Sequence, residues 1–507
     1  MTATAMRDFR VKLISLPNLY FLLRFSQCVL PHDLGVINAF LRDSGYDVSM
    51  DDMSVKIESY NRRFRFSPGR RIDLTILRQE QRIIDYLSGH SCDKKVEQFS
   101  DNLAKVVSCE GYDLIGISVK GIFQFLFALL LSKKIKSLSD AKIVLGGPSV
   151  TIHGRELFNK FPYLDYMITG DGQVPLFKLV NYLEGRAAIE DVPNLIYRQN
   201  GTVKSNPRKL YPIEDLCMPD FPDYMVDFYR SRYYPALVLP YQISRGCPYE
   251  CSFCDHKHIN PSVEFKSYDK VVREIKAMKE RYQSNRFFFY DEVINCSYEY
   301  LDKLCDIFIE EKLDISWSSA ARSDNLDRKI LQKMKKAGCV SLGFGIESGS
   351  NRILKIMGKG FTSEQAARVL KDSYDEGIRN ILFIIVGYPH EKKEDITETI
   401  EFIRKNAQYI DTIAPIRPLV VVYGSLLYNN PEKFGIDKLR PKFDMFSYFV
   451  FDEINGLRWE EKVKQQKYSY KKILWANFKY ILSKKYRINL IHFWLYFWLR
   501  DKKLLVL

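Results

Sequence analysis

Three cysteines lie within the eight residues CPYECSFC, at Cys247, Cys251 and Cys254. Thiols at this spacing normally share a disulfide or a metal. A disulfide is disfavoured, because an odd cluster in a reducing compartment leaves one thiol without a partner. Two metal sites remain. A zinc site would need a fourth ligand, which His256 or His258 could supply, whereas a [4Fe–4S] cluster would use three thiolates and leave one iron open.

The bulk composition is that of a folded protein with more than one domain. The chain has 507 residues, of which 46% are hydrophobic and 14% aromatic, so we expect two or three well-packed cores. Ten cysteines are too few for a disulfide scaffold, and the first residues, MTATAMRDFR, lack the apolar segment of a signal peptide. We therefore expect a cytoplasmic protein with reduced thiols.

The positive charge is concentrated near the C-terminus. The net charge is +14, and between Lys462 and Lys503 there are twelve Lys or Arg and one acidic residue, Asp501. A general nucleic-acid-binding surface would spread this charge more widely, so we expect no nucleic-acid partner. A basic end of this kind is typical of a segment that faces an anionic surface.

The elements that must position the cysteines form two series of alternating strands and helices. Residues 1–200 contain five strand-like runs separated by amphipathic segments such as LGVINAFLRDSGY, which predicts an α/β domain with a Rossmann-like, doubly wound parallel sheet. Residues 201–235 are rich in proline and are predicted to be a linker.

The second series covers residues 236–425. Its six strand–helix units are too few for an eightfold barrel, which takes about 250 residues, and they predict a partial (β/α)6 TIM-like barrel. The cysteines directly follow its first strand, which places them at the barrel mouth. Residues 426–507 are predicted to be a helical, basic and aromatic region.

The cysteine motif in this setting resembles the radical S-adenosylmethionine (SAM) superfamily. GFGIESGSNRILKIMGKG (residues 343–360) and IIVGYPHE (384–391) resemble family segments at the fourth and fifth barrel strands, with His390 in place of the usual glycine. The resemblance implies a [4Fe–4S] cluster on Cys247, Cys251 and Cys254. Its open iron would bind SAM, and one electron from a reductase or flavodoxin-type donor would release a 5′-deoxyadenosyl radical.

The same resemblance implies candidate contacts to SAM. Phe253 precedes the third cysteine, and Asp291 ends the second barrel strand in FFFYDEVIN. Arg322 and Glu347 follow the third and fourth strands. We expect Asp291, Arg322 and Glu347 to hold polar parts of SAM.

The N-terminal domain resembles the cobalamin-binding domains that are fused to such barrels. LGGPSVTIHGRELF and MITGDGQVPLFKLV carry this resemblance. The cobalamin-binding candidates that it implies are Ser118, Lys120, Gly146, Gly147, Gly170 and Gly172. The sequence departs from many cobalamin proteins, because no D-x-H-x-x-G follows the first strand and Lys120 stands where small hydroxyl residues are common. His32 is interpreted as an ordinary loop histidine, so cobalamin would bind without a histidine ligand.

The basic C-terminal tail has two interpretations. Its apolar run, from Ile488 to Leu499, is shorter than the ~20 residues of a spanning helix. Lys and Arg interleaved with aromatic residues are typical of an interfacial helix on anionic lipid, which would make the protein peripheral to a membrane. Alternatively, the tail is a helix packed over the barrel opening.

These features predict an enzyme that methylates an unactivated carbon with cobalamin. The expected substrate is a small apolar molecule, such as a lipid, a polyprenoid or a porphyrin-like ring. Two alternatives stay open. One is radical cyclisation, rearrangement or carbon–carbon coupling, with or without cobalamin. The other, from a different class, is a zinc-stabilised binding protein that uses the basic tail at a membrane surface.

Overall fold

The computed structural model divides into two compact units, residues 1–237 and 238–507. The structure describes residues 9–17, 30–64, 67, 70–232, 237–443 and 446–483. The predicted interfacial segment beyond residue 483 lies outside the described residues. The predicted domain limits at residues 200, 235 and 425 stay a prediction.

The first unit is built on a seven-stranded sheet with the order β2-β1-β3-β4-β5-β6-β7. Strands β1 to β5 are parallel, as predicted, and β6 and β7 add an antiparallel edge. The strands are β1 Arg10–Ser15, β2 Asp47–Asp52, β3 Leu114–Ser118, β4 Lys142–Gly146, β5 Tyr166–Ile168, β6 Leu195–Gln199 and β7 Thr202–Ser205.

Eight helices accompany this sheet in the described part of the unit. They are α1 His32–Asp43, α2 Met53–Arg63, α3 Glu80–Leu87, α4 Lys94–Ala104, α5 Ile122–Lys136, α6 Pro148–Lys160, α7 Gln173–Leu183 and α8 Asp223–Arg232. The predicted helix LGVINAFLRDSGY is α1, and Gly45 follows it at φ +89°. Helix α5 is apolar on all sides at its centre, where residues 125–131 are 0% exposed. Such a helix is stable only inside a core, so α5 anchors the unit.

The second unit contains the predicted partial barrel. Six parallel strands form one sheet in the order β15-β14-β13-β12-β11-β8. These strands are β8 Leu239–Tyr241, β11 Arg286–Phe289, β12 Ser316–Ala321, β13 Cys339–Glu347, β14 Arg379–Val386 and β15 Thr412–Pro418. A short antiparallel pair, β9 Ser244–Arg245 and β10 Glu264–Phe265, lies between the first two. The prediction of a (β/α)6 sheet is therefore confirmed.

Helices join the barrel strands. They are α9 His256–Ile259, α10 Tyr268–Tyr282, α11 Tyr298–Glu310, α12 Arg328–Lys336, α13 Asn351–Met357, α14 Ser363–Asp375 and α15 Lys393–Lys405. Helix α14 begins with a capping box: the Thr362 side chain accepts from the Gln365 backbone, and the Gln365 side chain accepts from the Thr362 backbone. This exchange satisfies two backbone donors that a helix start otherwise leaves open.

The C-terminal part begins with strands that the sequence did not predict. Elements β16 Val421–Val422, α16 Leu426–Asn429, β17 Ile436–Phe443 and β18 Phe446–Glu453 precede the helix α17 Trp459–Ser483, and the three strands form an antiparallel sheet. The predicted helical region is thus α17. Its buried positions recur at helical spacing and are Lys462, Gln466, Ser469, Tyr470 and Ile473. The described part of α17 therefore packs against its own unit. None of the described helices combines the length and apolar character that a bilayer crossing requires.

Candidate active site

The three cysteines occupy the loop that follows β8 and β9, at the carboxyl end of the barrel sheet. All three thiols are free and half-buried, and the Cys254 backbone N–H donates to the Cys251 carbonyl at 3.0 Å. Burial raises the pKa of Cys247, and it raises the pKa of Cys254 to about 12. Thiols of this kind become thiolates when a metal coordinates them. The described residues contain no group of three or more His, Cys, Asp or Glu side chains that could hold a single metal ion.

Ser252 fastens the centre of this cysteine loop (residues 247–254) to three other elements. Its backbone N–H donates to Met357 O at 2.9 Å, its hydroxyl lies 2.6 Å from the hydroxyl of Tyr388, and its carbonyl accepts from Leu427 N at 2.9 Å. The next residue, Phe253, packs against a hydrophobic cluster that includes Met357, Tyr388 and Leu427. The loop is therefore held by the end of α13, by the turn after β14 and by α16.

Two acidic residues after β11, Asp291 and Glu292, accept hydrogen bonds from the backbone of residues 243–246, which lead into the cysteine loop. Oδ1 of Asp291 accepts from the backbone N–H of Ile243 at 3.2 Å, from the backbone N–H of Ser244, and from the Ser244 hydroxyl at 2.7 Å. Glu292 accepts from Gly246 N at 3.1 Å. Burial raises the pKa of Asp291 to about 7 in spite of the hydrogen bonds from Ser244. Its Oδ2 atom is buried without a hydrogen-bond partner among the described residues, so only this oxygen is left for a ligand.

Arg322 reaches the cysteine loop from the end of β12. Its Nη1 donates to Cys251 Sγ at 3.4 Å, and its Nε and Nη2 donate to the two carboxylate oxygens of Asp324 at 2.8 and 3.0 Å. Nη2 also donates to the Lys359 carbonyl. The guanidinium lies 3.6 Å from the ring centroid of Tyr249, a residue of the cysteine loop. Arg322 is thus held directly beside one of the predicted cluster ligands.

Glu347 ends β13 in a strained backbone conformation. Its φ is +67°, a region that non-glycine residues seldom adopt and that concentrates at functional sites. A Cβ on Gly345 would lie 2.8 Å from Glu347 Oε1, so the glycine leaves room for the carboxylate. Lys359 Nζ lies 3.6 Å from Glu347 Oε1. Burial raises the pKa of Glu347, although Lys359 acts in the opposite direction.

Lys359 links three of the four predicted SAM contacts. Its carbonyl accepts from Arg322, its ammonium pairs with Glu347, and the same ammonium lies 5.9 Å from the ring centroid of Phe253. No comparable link connects Asp291 to this group in the described residues. The sequence did not predict Lys359, and its only signal is the pair of flanking glycines in GKG, both at positive φ.

In the first unit, the predicted cobalamin contacts lie at the carboxyl ends of β3, β4 and β5. Ser118 Oγ donates to Asp33 Oδ2 at 2.5 Å, and Lys120 Nζ pairs with Asp33 Oδ1 at 2.7 Å. Burial raises and Lys120 lowers the pKa of Asp33, which lies below its usual value as a result. Asp33 therefore joins Ser118 and Lys120 in one polar group that the sequence did not predict.

The glycines at this sheet edge differ in what they allow. Gly147 has φ +106°, and a Cβ there would lie 2.7 Å from Val119 O. Gly170, at φ +69°, donates its N–H to Thr151 Oγ1 at 2.8 Å. A Cβ on Gly146 would meet nothing closer than 3.8 Å, and one on Gly172 would meet Ile37 at 2.9 Å. The edge is therefore lined by backbone, which suits close approach of a nucleotide-like ligand.

Comparison with known proteins agrees with this geometry. Residues 241–403 match the Radical SAM superfamily. An uncharacterised methyltransferase of Pyrococcus horikoshii is 28% identical over 61% of this chain and 67% of its own length. The anaerobic magnesium-protoporphyrin IX monomethyl ester cyclase of Rubrivivax gelatinosus is 26% identical over 58% of this chain and 54% of its own length. The chain thus spans between about half and two thirds of these relatives.

Two solved structures share the fold. The cobalamin-dependent SAM radical enzyme OxsB superposes with a TM-score of 0.64 and 16% identity, over 98% of this chain and 76% of its own. The radical SAM methyltransferase TsrM of Kitasatospora setae superposes with a TM-score of 0.64 and 15% sequence identity, over 91% of this chain and 91% of its own. The Rossmann-like sheet of the first unit and the six-stranded partial barrel of the second have the same fold as these two structures. Residues 241–403 of this chain therefore match a radical SAM domain.

The residues present fit the cofactors of this family. A [4Fe–4S] cluster needs three thiolates on a loop, and Cys247, Cys251 and Cys254 would provide them next to the guanidinium of Arg322. SAM carries amino and carboxylate groups, and the ammonium of Lys359 and the carboxylate of Glu347 offer opposite charges. These observations favour the enzyme over the zinc-stabilised binding protein.

Proposed function

We propose that this chain is a cobalamin-dependent radical SAM methyltransferase that acts on an unactivated carbon of an apolar small molecule. The observation that carries the proposal is the three-cysteine loop, held at the carboxyl end of the barrel sheet in a chain that also has a cobalamin-binding-type sheet. When bound, the cluster and SAM supply a 5′-deoxyadenosyl radical for hydrogen abstraction, and cobalamin supplies the methyl group. A reductase or flavodoxin-type protein is the proposed electron donor.

The residues of the barrel unit bind and orient in this proposal. Cys247, Cys251 and Cys254 would hold the cluster, and Ser252 fixes their loop by backbone hydrogen bonds to α13 and α16. Glu347 would accept from the SAM amino group, Lys359 would face its carboxylate, and Phe253 would provide an apolar ring contact. Since Glu347 and Lys359 are both buried, they would act with little competition from water.

Anaerobic reconstitution with iron and sulfide tests the radical chemistry. We expect the loaded protein to form 5′-deoxyadenosine from SAM under reduction, and Cys251→Ala to abolish this product. Cys92→Ala, which changes an exposed free cysteine, is the matched control and should keep activity. Product formation by the Cys251 variant would overturn the ligand assignment.

Cobalt content after loading with cobalamin tests the methyl-transfer part. We expect about one cobalamin per chain, and transfer of a deuterated methyl group from labelled SAM to product. Radical cyclisation is the second candidate function, because one relative is the magnesium-protoporphyrin IX monomethyl ester cyclase. A cluster-loaded protein that forms 5′-deoxyadenosine and binds no cobalamin would contradict cobalamin-dependent methyl transfer and leave radical cyclisation as the candidate function.

Membrane docking by the tail is a separate part of the proposal and rests on the basic and aromatic sequence beyond residue 483. The test must spare α17, because Lys462 and Gln466 are buried in the barrel unit. Removal of residues 484–507 should therefore abolish flotation with anionic liposomes. A full-length variant with Lys484, Lys485 and Arg487 changed to Gln should weaken flotation at unchanged length. Equal and weak flotation of all forms would end the membrane proposal.

A further inference from the structure

Arg322 is a buried cation that is held by contacts with several neighbouring residues. Asp324 holds its Nε and Nη2 atoms, the Lys359 carbonyl accepts from Nη2, and the Tyr249 ring covers one face of the guanidinium at 3.6 Å. The side chain is 4% exposed. A guanidinium with this many contacts cannot turn away from its neighbours without breaking several of them.

Most of the N–H donors of Arg322 are already used within the protein, so few are left to bind SAM. Arginine has five N–H donors. Two donate to Asp324, one to Lys359 O, and one to Cys251 Sγ at 3.4 Å. At most one N–H of Nη1 is left, since the Tyr249 side chain also interacts with the guanidinium. The SAM-binding role that the resemblance implies for Arg322 would have to use this remaining donor, because the described contacts direct the other four N–H groups to Asp324, to the Lys359 carbonyl and to Cys251 Sγ.

A donor at this sulfur changes the energy of reduction. In the loaded enzyme, Cys251 Sγ would be an iron-bound thiolate, and the electron density added on reduction would spread over the cluster and its sulfurs. An N–H···S hydrogen bond and a nearby positive charge stabilise the reduced state more than the oxidised state, and hydrogen bonds to the sulfurs are among the factors that set cluster potentials.

Asp324 partly offsets this effect, because it forms an ion pair with Arg322. The two charges do not cancel at the sulfur, since Nη1 faces Cys251 while the carboxylate sits on the Nε and Nη2 side. The ion pair therefore presents its positive end to the thiolate. Removing the cation and removing the carboxylate should have opposite effects on the cluster.

We propose that Arg322 and Asp324 together tune the reduction potential of the cluster through the Nη1–H···Sγ hydrogen bond to Cys251. Arg322 raises the potential, Asp324 moderates the increase, and the electron itself comes from the reductase or flavodoxin-type donor named above. No bond is made or broken in this step. The inference rests on the proposed cluster at Cys247, Cys251 and Cys254.

Potentiometric titration of the reconstituted protein, followed by electron paramagnetic resonance in the absence of SAM, tests the proposal. We expect Arg322→Gln to make reduction about tenfold less favourable, a decrease of ~59 mV for one electron, and Asp324→Asn to shift the potential upwards. Arg328→Gln is the matched control, because Arg328 is an exposed arginine six residues further on that pairs with Glu376. Its potential should equal that of the unchanged protein.

Each other outcome has a defined meaning. Equal potentials in all variants, shifts of the same sign in both, or weaker SAM binding by Arg322→Gln at an unchanged potential would overturn the tuning role. Loss of the cluster from both variants, with a control that loads normally, would also overturn it by assigning the pair to cluster assembly. Absence of a cluster from the unchanged protein would instead contradict the proposed function.

Discussion

Asp291 combines three donors on one oxygen with a second oxygen that is buried and has no partner among the described residues. Burial raises its pKa to about 7, above the ~3.9 of an unfolded Asp. The folded state therefore binds the proton more tightly than the unfolded state between these two values. The contribution of Asp291 to stability is fully present below pH 4 and is lost as the pH rises through about 7.

We predict that Asp291→Asn removes this pH dependence. The free energy of unfolding of the metal-free protein should fall between pH 4.5 and 7.5, and the Asn variant should show a smaller fall, by up to roughly 4 kcal/mol. Urea unfolding at a series of pH values measures the difference. Asp269→Asn, at an exposed position of α10, is the control and should follow the unchanged protein. Parallel curves for all three proteins would contradict the prediction.

For individual residues, the sequence predicts which side chains belong to the site better than it predicts which side chains they contact. Phe253, Arg322 and Glu347 are predicted from the family resemblance, and they lie near one another because parallel strands end at one edge of a sheet and so bring their following residues together. Their common neighbour Lys359 could not be predicted, because its position depends on how the turn after α13 folds back. The Nη1–H···Sγ contact of Arg322 depends likewise on side-chain geometry that motif spacing does not contain.

At the scale of elements, α17 is attached to the barrel unit by a buried ion pair. Lys462 Nζ lies 2.5 Å from Glu453 Oε1 and donates to the Tyr388 carbonyl at 3.3 Å, and both charged side chains are almost fully buried. Glu453 also accepts from His390 N at 2.8 Å. The helix is thereby tied to β18 and to the turn after β14, which carries the Tyr388 hydroxyl that contacts Ser252 of the cysteine loop.

We predict that Lys462→Met destabilises the barrel unit by roughly 3–5 kcal/mol, because it leaves a buried carboxylate without its cation. The double variant Lys462→Met with Glu453→Gln should recover part of the loss, since no charge is then left unpaired. Lys467→Met, on the exposed side of α17, is the control and should change stability little. Urea unfolding measures all three. A loss no larger than that of the control would contradict the role of the ion pair.

The elements that the sequence failed to predict are antiparallel strands: β6 and β7 at one end of the first sheet, and β17 and β18 in the small C-terminal sheet. Strands β6 and β7 are joined by Asn200 and Gly201, both at positive φ, and an Asn-Gly pair between strand-like runs is a strong hairpin signal. Strand β17, IDKLRPKF, is polar and contains a proline, so its pattern does not indicate a strand. Many of the parallel core strands, by contrast, carry apolar runs, such as LIGIS in β3 and RNILFIIV in β14, and the sequence indicates them directly.

At the scale of the whole molecule, each compact unit has its own core and its own candidate cofactor residues. The predicted cobalamin contacts lie in the first unit, and the predicted cluster ligands lie in the second. A change confined to the sheet edge of the first unit should therefore affect cobalamin and leave the iron content unchanged.

We predict that Gly147→Ala lowers cobalamin retention at least about tenfold while iron content stays at the value of the unchanged protein. The new Cβ would lie 2.7 Å from Val119 O at a φ of +106°, so the turn that joins β4 to α6 must shift, at a cost of roughly 1–3 kcal/mol. Gly121→Ala is the matched control, because a Cβ there meets nothing within 4 Å and its φ is −162°. Cobalt and iron are measured on the same samples after gel filtration. An unchanged cobalt content in the Gly147 variant would show that cobalamin does not bind at this sheet edge. Loss of both cobalt and iron would contradict independent binding of the two cofactors by the two units.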